Sequence, residues 1–145
     1  MQPALARAEL ELPGAPGALR RLAPWVEQFA RAGRLDAPLT YTVQLCLEEA
    51  VSNAIRHNPQ RAAAPAGGVR VRLVSDAISV TAEITDDGAP FDPLRATEPK
   101  SAADAEPGGL GLHLLRQYCD DLRYRRDGST NRLILRFPRT ATRPA

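Results

Sequence analysis

The chain has 145 residues, 43% of them hydrophobic and 25% charged, a composition that fits one folded α/β domain rather than a disordered chain. A formal net charge of +2, with arginines interspersed among acidic residues, gives no reason to expect direct contact with nucleic acid. No apolar run approaches the roughly 18 residues of a membrane span, and the opening MQPALARAELELP has no signal-peptide core, so a cytoplasmic protein with no membrane partner is expected.

In chain order, residues 4–12 predict a first strand, with Leu10 and Leu12 alternating with Glu9 and Glu11 until Pro13, Gly14 and Pro16 stop it. Residues 17–32 carry Leu19, Leu22, Val26 and Phe29 at helical spacing, with Pro24 weakening the first turn and Gly33 as a stop signal. Pro38 marks the first turn of a long helix that runs to about His57, where Asn58 and Pro59 end it. Leu39, Val43, Leu47, Ala50 and Ala54 form its apolar stripe, and Glu49, Asn53 and His57 form a polar stripe along the border. A loop, NPQRAAAPAGG, leads into two alternating strands. Val69, Val71 and Leu73 face inward on one, and Ile78, Val80, Ala82 and Ile84 on the other. The link Ser75-Asp76-Ala77 makes them an antiparallel hairpin. DDGAPFDP breaks the second strand, and residues 94–107, with Pro99 and Pro107, read as a mobile loop.

GGLGLHLLRQYCDD then opens a helix with Leu112, Leu115, Cys119 and Leu122 on its inner side. Strands at about 122–126 and 132–137 are joined across Asp127-Gly128, and residues from Arg139 onward read as a frayed tail. Cys46 and Cys119 fall in apolar helical stretches and are read as small buried hydrophobes, with no disulfide framework or zinc site. The order β-α-α-β-β-α-β-β predicts an α/β fold of the two-layer α+β sandwich type. Its mixed, mainly antiparallel sheet would be covered on one face by helices, in one domain over residues 5–137 with a flexible tail at 138–145.

Three segments carry candidate chemistry. Glu49 and Asn53 lie one helical turn apart, which brings a carboxylate and an amide oxygen to within about 6 Å. The amide suits Mg²⁺ and the carboxylate suits proton transfer, although both residues also suit plain hydrogen bonding at a helix margin. The alternation that ends at Ile84 turns Asp86 inward and Asp87 outward, and an inward carboxylate needs a donor such as an adenine amino group. Gly88 permits close backbone approach after it, and a simple strand-ending turn has the same composition. Gly108-Gly109-Leu110-Gly111 at a helix start either converges backbone N–H groups on an anion or packs closely. It is neither a P-loop nor a full dinucleotide fingerprint.

In combination and in this order, LCLEEAVSNAIRHN resembles the N box of the GHKL superfamily of ATPases and kinases, and ITDDGAPFDP resembles its first glycine box. GGLGLHLLRQYCDDLRYRR resembles the second glycine box, continuing into the closing hairpin of one branch, the bacterial anti-sigma factor serine kinases of the RsbW and SpoIIAB type. The resemblance spans about residues 5–137 and implies the Bergerat ATP-binding fold, with ATP and Mg²⁺ bound. It implies that Asn53 binds the Mg²⁺ bridging the phosphates, and that Glu49 is the general base toward a protein serine or threonine. Asp86 would bind the adenine amino group and Gly88 would shape the base pocket. Gly109 and Gly111 would contact phosphate from the hinge of a short lid over about residues 92–108, and His57 would have only a supporting role. Pro90 departs from the glycine that many members carry there, and Arg95 and Lys100 are the lid's only bases, read as solvated more readily than as phosphate ligands.

The function implied by the resemblance is an anti-sigma-factor-like serine/threonine kinase. Such a protein phosphorylates a STAS-domain anti-anti-sigma protein, sequesters a sigma factor and forms a homodimer. The alternative is a non-catalytic ATP-binding protein that regulates its partner by sequestration alone.

Overall fold

The computed structural model describes residues 4–57, 68–95 and 111–139. All but the last residue of NPQRAAAPAGG lies outside them, as do Gly108, Gly109, Leu110, Lys100 and most of the predicted lid. Strand β1 is Ala6–Leu12, followed by a short 3-10 helix, Pro16–Arg21, and by α1, Leu22–Gly33. Helix α2 is Ala37–Arg56, and β2 and β3 are Val69–Ser75 and Ser79–Asp86. Helix α3, Gly111–Tyr118, precedes β4, Asp121–Asp127, and β5, Thr130–Pro138.

The strands form one sheet in the order β1-β2-β3-β5-β4, and every pairing is antiparallel. The predicted element order holds, with helices on one face. Inward residues of the sheet, among them Val71, Leu73, Val80, Ala82 and Leu135, are completely buried beneath α1 and α2. Burial of each such leucine or valine contributes roughly 1.5–3 kcal/mol. The outward face carries cross-strand ion pairs, Glu9 with Arg72 and Glu11 with Arg70, then Glu83 with Arg132 and Arg132 with Asp127. Arg132 and Arg125 hold the Asp127 carboxyl below the usual carboxylate range. The exposed pairs, Glu9 with Arg72 and Glu11 with Arg70, contribute little each.

Sequence explains most element ends. The Asp36 side chain caps α2 by accepting from the Leu39 N–H at 2.8 Å, a cap that the Pro38 signal did not reveal. The predicted helix over 17–32 is instead split, because the chain completes a 3-10 turn before α1 begins at Leu22. Gly33 is the last residue of α1, and the left-handed cap falls on Arg34 (φ 55°). Gly33 serves close approach: a Cβ there would lie 2.8 Å from Ser75 Oγ on β2. Trp25, the single tryptophan, packs its partly buried ring against the core from α1.

Three expectations need correction. Ile78 does not continue the inward set of β3. It sits in the turn before the strand, 54% exposed, because Asp76 accepts from the Ile78 and Ser79 N–H groups and closes the hairpin. Arg139 is not frayed. It donates to the carbonyls of Asp76, Gly33 and Arg34, and β5 runs through Pro138, one residue past the predicted strand end. Cys46 is fully buried as expected, whereas Cys119 is only partly so. Its thiol interacts with that of Cys46, and this contact and burial raise Cys119 far above the ordinary thiol range.

Candidate functional site

At one end of the sheet Asp86 of β3 faces Asn131 of β5, and a polar network is built around the pair. Asp86 Oδ1 accepts from the Gly88 N–H at 2.9 Å and from Asn131 Nδ2 at 3.0 Å. Both bonds fall on one oxygen, so Oδ2 retains its acceptor capacity. The Asn131 amide is 7% exposed and bridges the strand to the turn after β3. It donates to the Ala89 carbonyl at 2.9 Å and accepts from the Phe91 N–H at 3.3 Å and the Tyr124 hydroxyl at 2.5 Å. Arg126 adds a bond to the Gly88 carbonyl at 2.7 Å. A buried amide with all its capacity engaged fixes the backbone around it. The loop from Asp87 to Phe91 is thereby held in one conformation, with Gly88 buried inside it.

Above this platform lies a cavity between α2 and the sheet. Ala50 and Asn53 line it from α2 and His57 from the cap of that helix, Ile84 and Asp86 from β3, and Tyr124, Asn131 and Leu133 from the closing hairpin. Apolar walls with a few convergent polar groups are typical of a small-molecule site. It encloses about 30 Å³, room for a water or two and too little for a purine. Phe91 also lines it and stacks on His57, ring centroids 3.8 Å apart and planes at 12°, so these rings bound the recess.

Glu49 sits one turn earlier on α2, outside this lining, and packs against the first residue of α3. A Cβ on Gly111 would lie 2.0 Å from Glu49 Cγ and 2.1 Å from its Oε1, so only glycine admits the carboxylate here. Glu49 Oε1 is buried and has no hydrogen-bond partner. Burying an unpaired acceptor is costly, and the position suits a hydroxyl or water donor brought by a ligand. At the other end of the polar stripe, the Arg56 guanidinium donates through Nη2 to Asn53 Oδ1, while its buried Nε has no acceptor. Among the described residues no three His, Cys, Asp or Glu side chains are grouped to hold a metal. A cation on Asn53 would therefore take one amide oxygen from the chain and its remaining ligands from phosphates and water, a mode that suits Mg²⁺.

Of the predicted site residues, Asn53 and Asp86 line the cavity, Gly88 donates its N–H to Asp86 from the turn after β3, and Glu49 and Gly111 meet beside the cavity. Gly109 lies outside the described residues. Arg95 is exposed and pairs loosely with Asp92 at 3.7 Å, in keeping with a solvated charge. The sequence reading missed Asn131, Tyr124 and Phe91, which reach the site only through the pairing of β5 with β3 and the path of the following loop. It also missed Arg56, although a spacing of three from Asn53 was a usable signal.

The chain belongs to the histidine kinase-like ATPase domain family, which it matches over residues 12–137. It is 36% identical over 116 residues to the serine/threonine-protein kinase BtrW of Bordetella bronchiseptica, covering 77% of this chain and 79% of that protein. An ATP-using serine/threonine protein kinase is the enzyme class that family and relative support together. The fold is also that of a chain in the SiaB-SiaC complex from Pseudomonas aeruginosa (TM-score 0.57, 12% identity, 94% of this chain and 91% of that one). It is shared as well by the histidine kinase AdeS of Acinetobacter baumannii (TM-score 0.52, 13% identity, 92% and 68%). No helix among the described residues is long and apolar enough to cross a membrane.

Proposed function

We propose that the protein is a cytoplasmic serine/threonine kinase of the partner-switching type, which uses Mg-ATP to phosphorylate a STAS-domain protein and sequesters a regulator such as a sigma factor. A homodimer is part of that reading. The observation that carries it is the buried, unpartnered Glu49 carboxylate oxygen, one turn from Asn53 on the helix that roofs the Asp86 cavity.

In this mechanism the Phe91–His57 stack that bounds the recess moves aside to admit the base. Asp86 Oδ2 then accepts from the adenine amino group, and Asn131, by holding Oδ1 and the Gly88 turn, keeps that carboxylate aimed. Asn53 Oδ1 would ligate the cation, and Gly111 would meet phosphate at the start of α3, where helix N–H groups favour an anion; Gly109 is assigned to the same phosphate. When bound, Mg²⁺ neutralises phosphate charge. Glu49 takes the proton from a serine or threonine hydroxyl, which fills the partnership that its oxygen now lacks. Phosphoryl transfer requires mainly positioning and charge stabilisation, and these groups provide both.

The test is to capture partners from the native cell extract with Mg-ATP, using the wild-type chain and Glu49→Gln, and to search them by mass spectrometry for new phosphoserine or phosphothreonine. A small STAS protein modified only by the wild type is the expected result. Stable partners with no Glu49-dependent phosphorylation would overturn the kinase reading in favour of sequestration alone.

A further inference from the structure

Glu49, Asn53 and Arg56 occupy positions i, i+4 and i+7 of α2, and at about 3.6 residues per turn they share one meridian of the helix. Two of the three carry a buried atom that lacks a partner, and the two are opposite in sense: Glu49 Oε1 lacks a donor and Arg56 Nε lacks an acceptor. Between them, the oxygen assigned above to the cation is already held by a positive charge, since Arg56 Nη2 donates to Asn53 Oδ1. A guanidinium is always protonated and offers only donors. It cannot share that oxygen with a divalent cation without placing two positive charges against each other.

We infer that Arg56 is a positioning residue that stands in for the metal: it holds Asn53 Oδ1 while the site is empty and yields it to Mg²⁺ when nucleotide arrives. Two consequences follow. Arg56 aligns the Asn53 amide with its oxygen presented and its N–H₂ turned away, so the ligand atom is pre-set before any cation is present. When nucleotide arrives without metal, Nη2 keeps Asn53 and the buried Nε takes a phosphate oxygen as the acceptor it now lacks, whereas a metal on Asn53 Oδ1 displaces the guanidinium. Arg56 therefore opposes metal binding at Asn53 yet supports nucleotide that arrives without metal. The protein should consequently depend less on Mg²⁺ for nucleotide affinity than Asn53 alone would dictate.

This inference rests on the reading of Asn53 as the cation ligand, and its test separates the two. Calorimetric titration of ATP is carried out in Mg²⁺ and in EDTA for the wild type, Arg56→Gln, Arg56→Met, Arg56→Lys and Asn53→Ala, and the ratio of the two affinities is read for each. Arg56→Gln should weaken metal-free ATP about tenfold, the loss of one charge-assisted hydrogen bond, and raise the ratio by at least that factor. Arg56→Met keeps the aliphatic stem packed and must shift the ratio the same way. Arg56→Lys keeps the charge and should stay within about threefold of wild type. Asn53→Ala should collapse the ratio toward one. If Asn53→Ala collapses it while the neutral Arg56 variants leave it at the wild-type value, Asn53 stands as the ligand and the role given to Arg56 is wrong. A Lys variant that behaves like Gln would overturn that role too, because charge would then not be the operative property. An Asn53→Ala ratio equal to wild type would remove the cation assignment and, with it, the inference.

Discussion

At the end of the sheet where Ser79 faces Pro138, Arg139 donates to three backbone carbonyls, and Asp76 accepts from two N–H groups and from the Ser79 hydroxyl. At the opposite end, where Asp86 faces Asn131, Glu49 and Arg56 each bury a polar atom with no partner. The first end has one such atom as well, Ser75 Oγ, but it belongs to a neutral hydroxyl pressed against Gly33. The difference lies in charge. A charged group that serves only the fold is saturated by the fold, because an unpaired buried charge costs several times what an unpaired hydroxyl does. Charged groups left unsaturated on one helix meridian are best understood as reserved for something that binds.

The contrast predicts that substitutions at the two ends fail in different assays. The largest effect is expected for Gly111→Ala, whose Cβ would overlap the Glu49 side chain. Displacing that carboxylate by an ångström should lower phosphotransfer about a hundredfold, measured as phosphate incorporated into the captured partner. ATP affinity should change far less, and an equal loss in both would mean that α3 itself had moved. Next comes Asp86→Asn, which replaces an acceptor with a donor opposite the amino group. A loss of about 2 kcal/mol, roughly thirtyfold in Kd, is expected by calorimetry with the unfolding midpoint retained. Unaltered binding would remove Asp86 from the base pocket.

At the other end, Arg139→Ala should cost about 1–2 kcal/mol of stability in denaturant unfolding and leave ATP affinity untouched. A parallel loss of affinity would show that the two ends are coupled and blur the comparison. The smallest effect concerns pH. The Ile78 N–H, chiefly, and the Ser79 groups hold the Asp76 carboxyl below its ordinary value despite an opposing effect of burial. A depressed carboxylate contributes stability above its unfolded pKa and loses it as pH falls through the folded one. Asp76→Asn should therefore be slightly less stable than wild type at neutral pH, and the two curves should converge below about pH 4. A gap that persists in acid would assign the loss to something other than the charge.

Legibility followed the range of the interactions involved. The strands and α2 are periodic within single segments, so alternation and helical spacing located Val69–Ser75, Ser79–Asp86 and Ala37–Arg56 nearly to the residue. Glu49 and Asn53 were visible because both lie on one helix, and Asp86 because strand alternation fixed its face. Asn131 had no local signal. Its importance arises from the pairing of β3 with β5, strands separated in sequence by α3 and β4, and local patterning does not encode which strands become neighbours. The exposure of Ile78 was hidden for another reason: an Asp side chain that bonds the backbone two residues on turns the chain where an apolar alternation seems to continue. Arg139 looked like part of a tail because arginine near a chain end carries no signature of backbone carbonyls supplied by distant segments.

The packing of Trp25 on α1 has a practical consequence for separating these effects. The chain holds one indole, seated against the core shared by α1 and α2, and it is not among the residues lining the Asp86 cavity. Its emission is an intrinsic optical reporter of whether the domain is assembled, and it needs no attached dye. Loss of fold and loss of ligand can thus be followed in one cuvette, with indole fluorescence tracking the first and a labelled nucleotide the second.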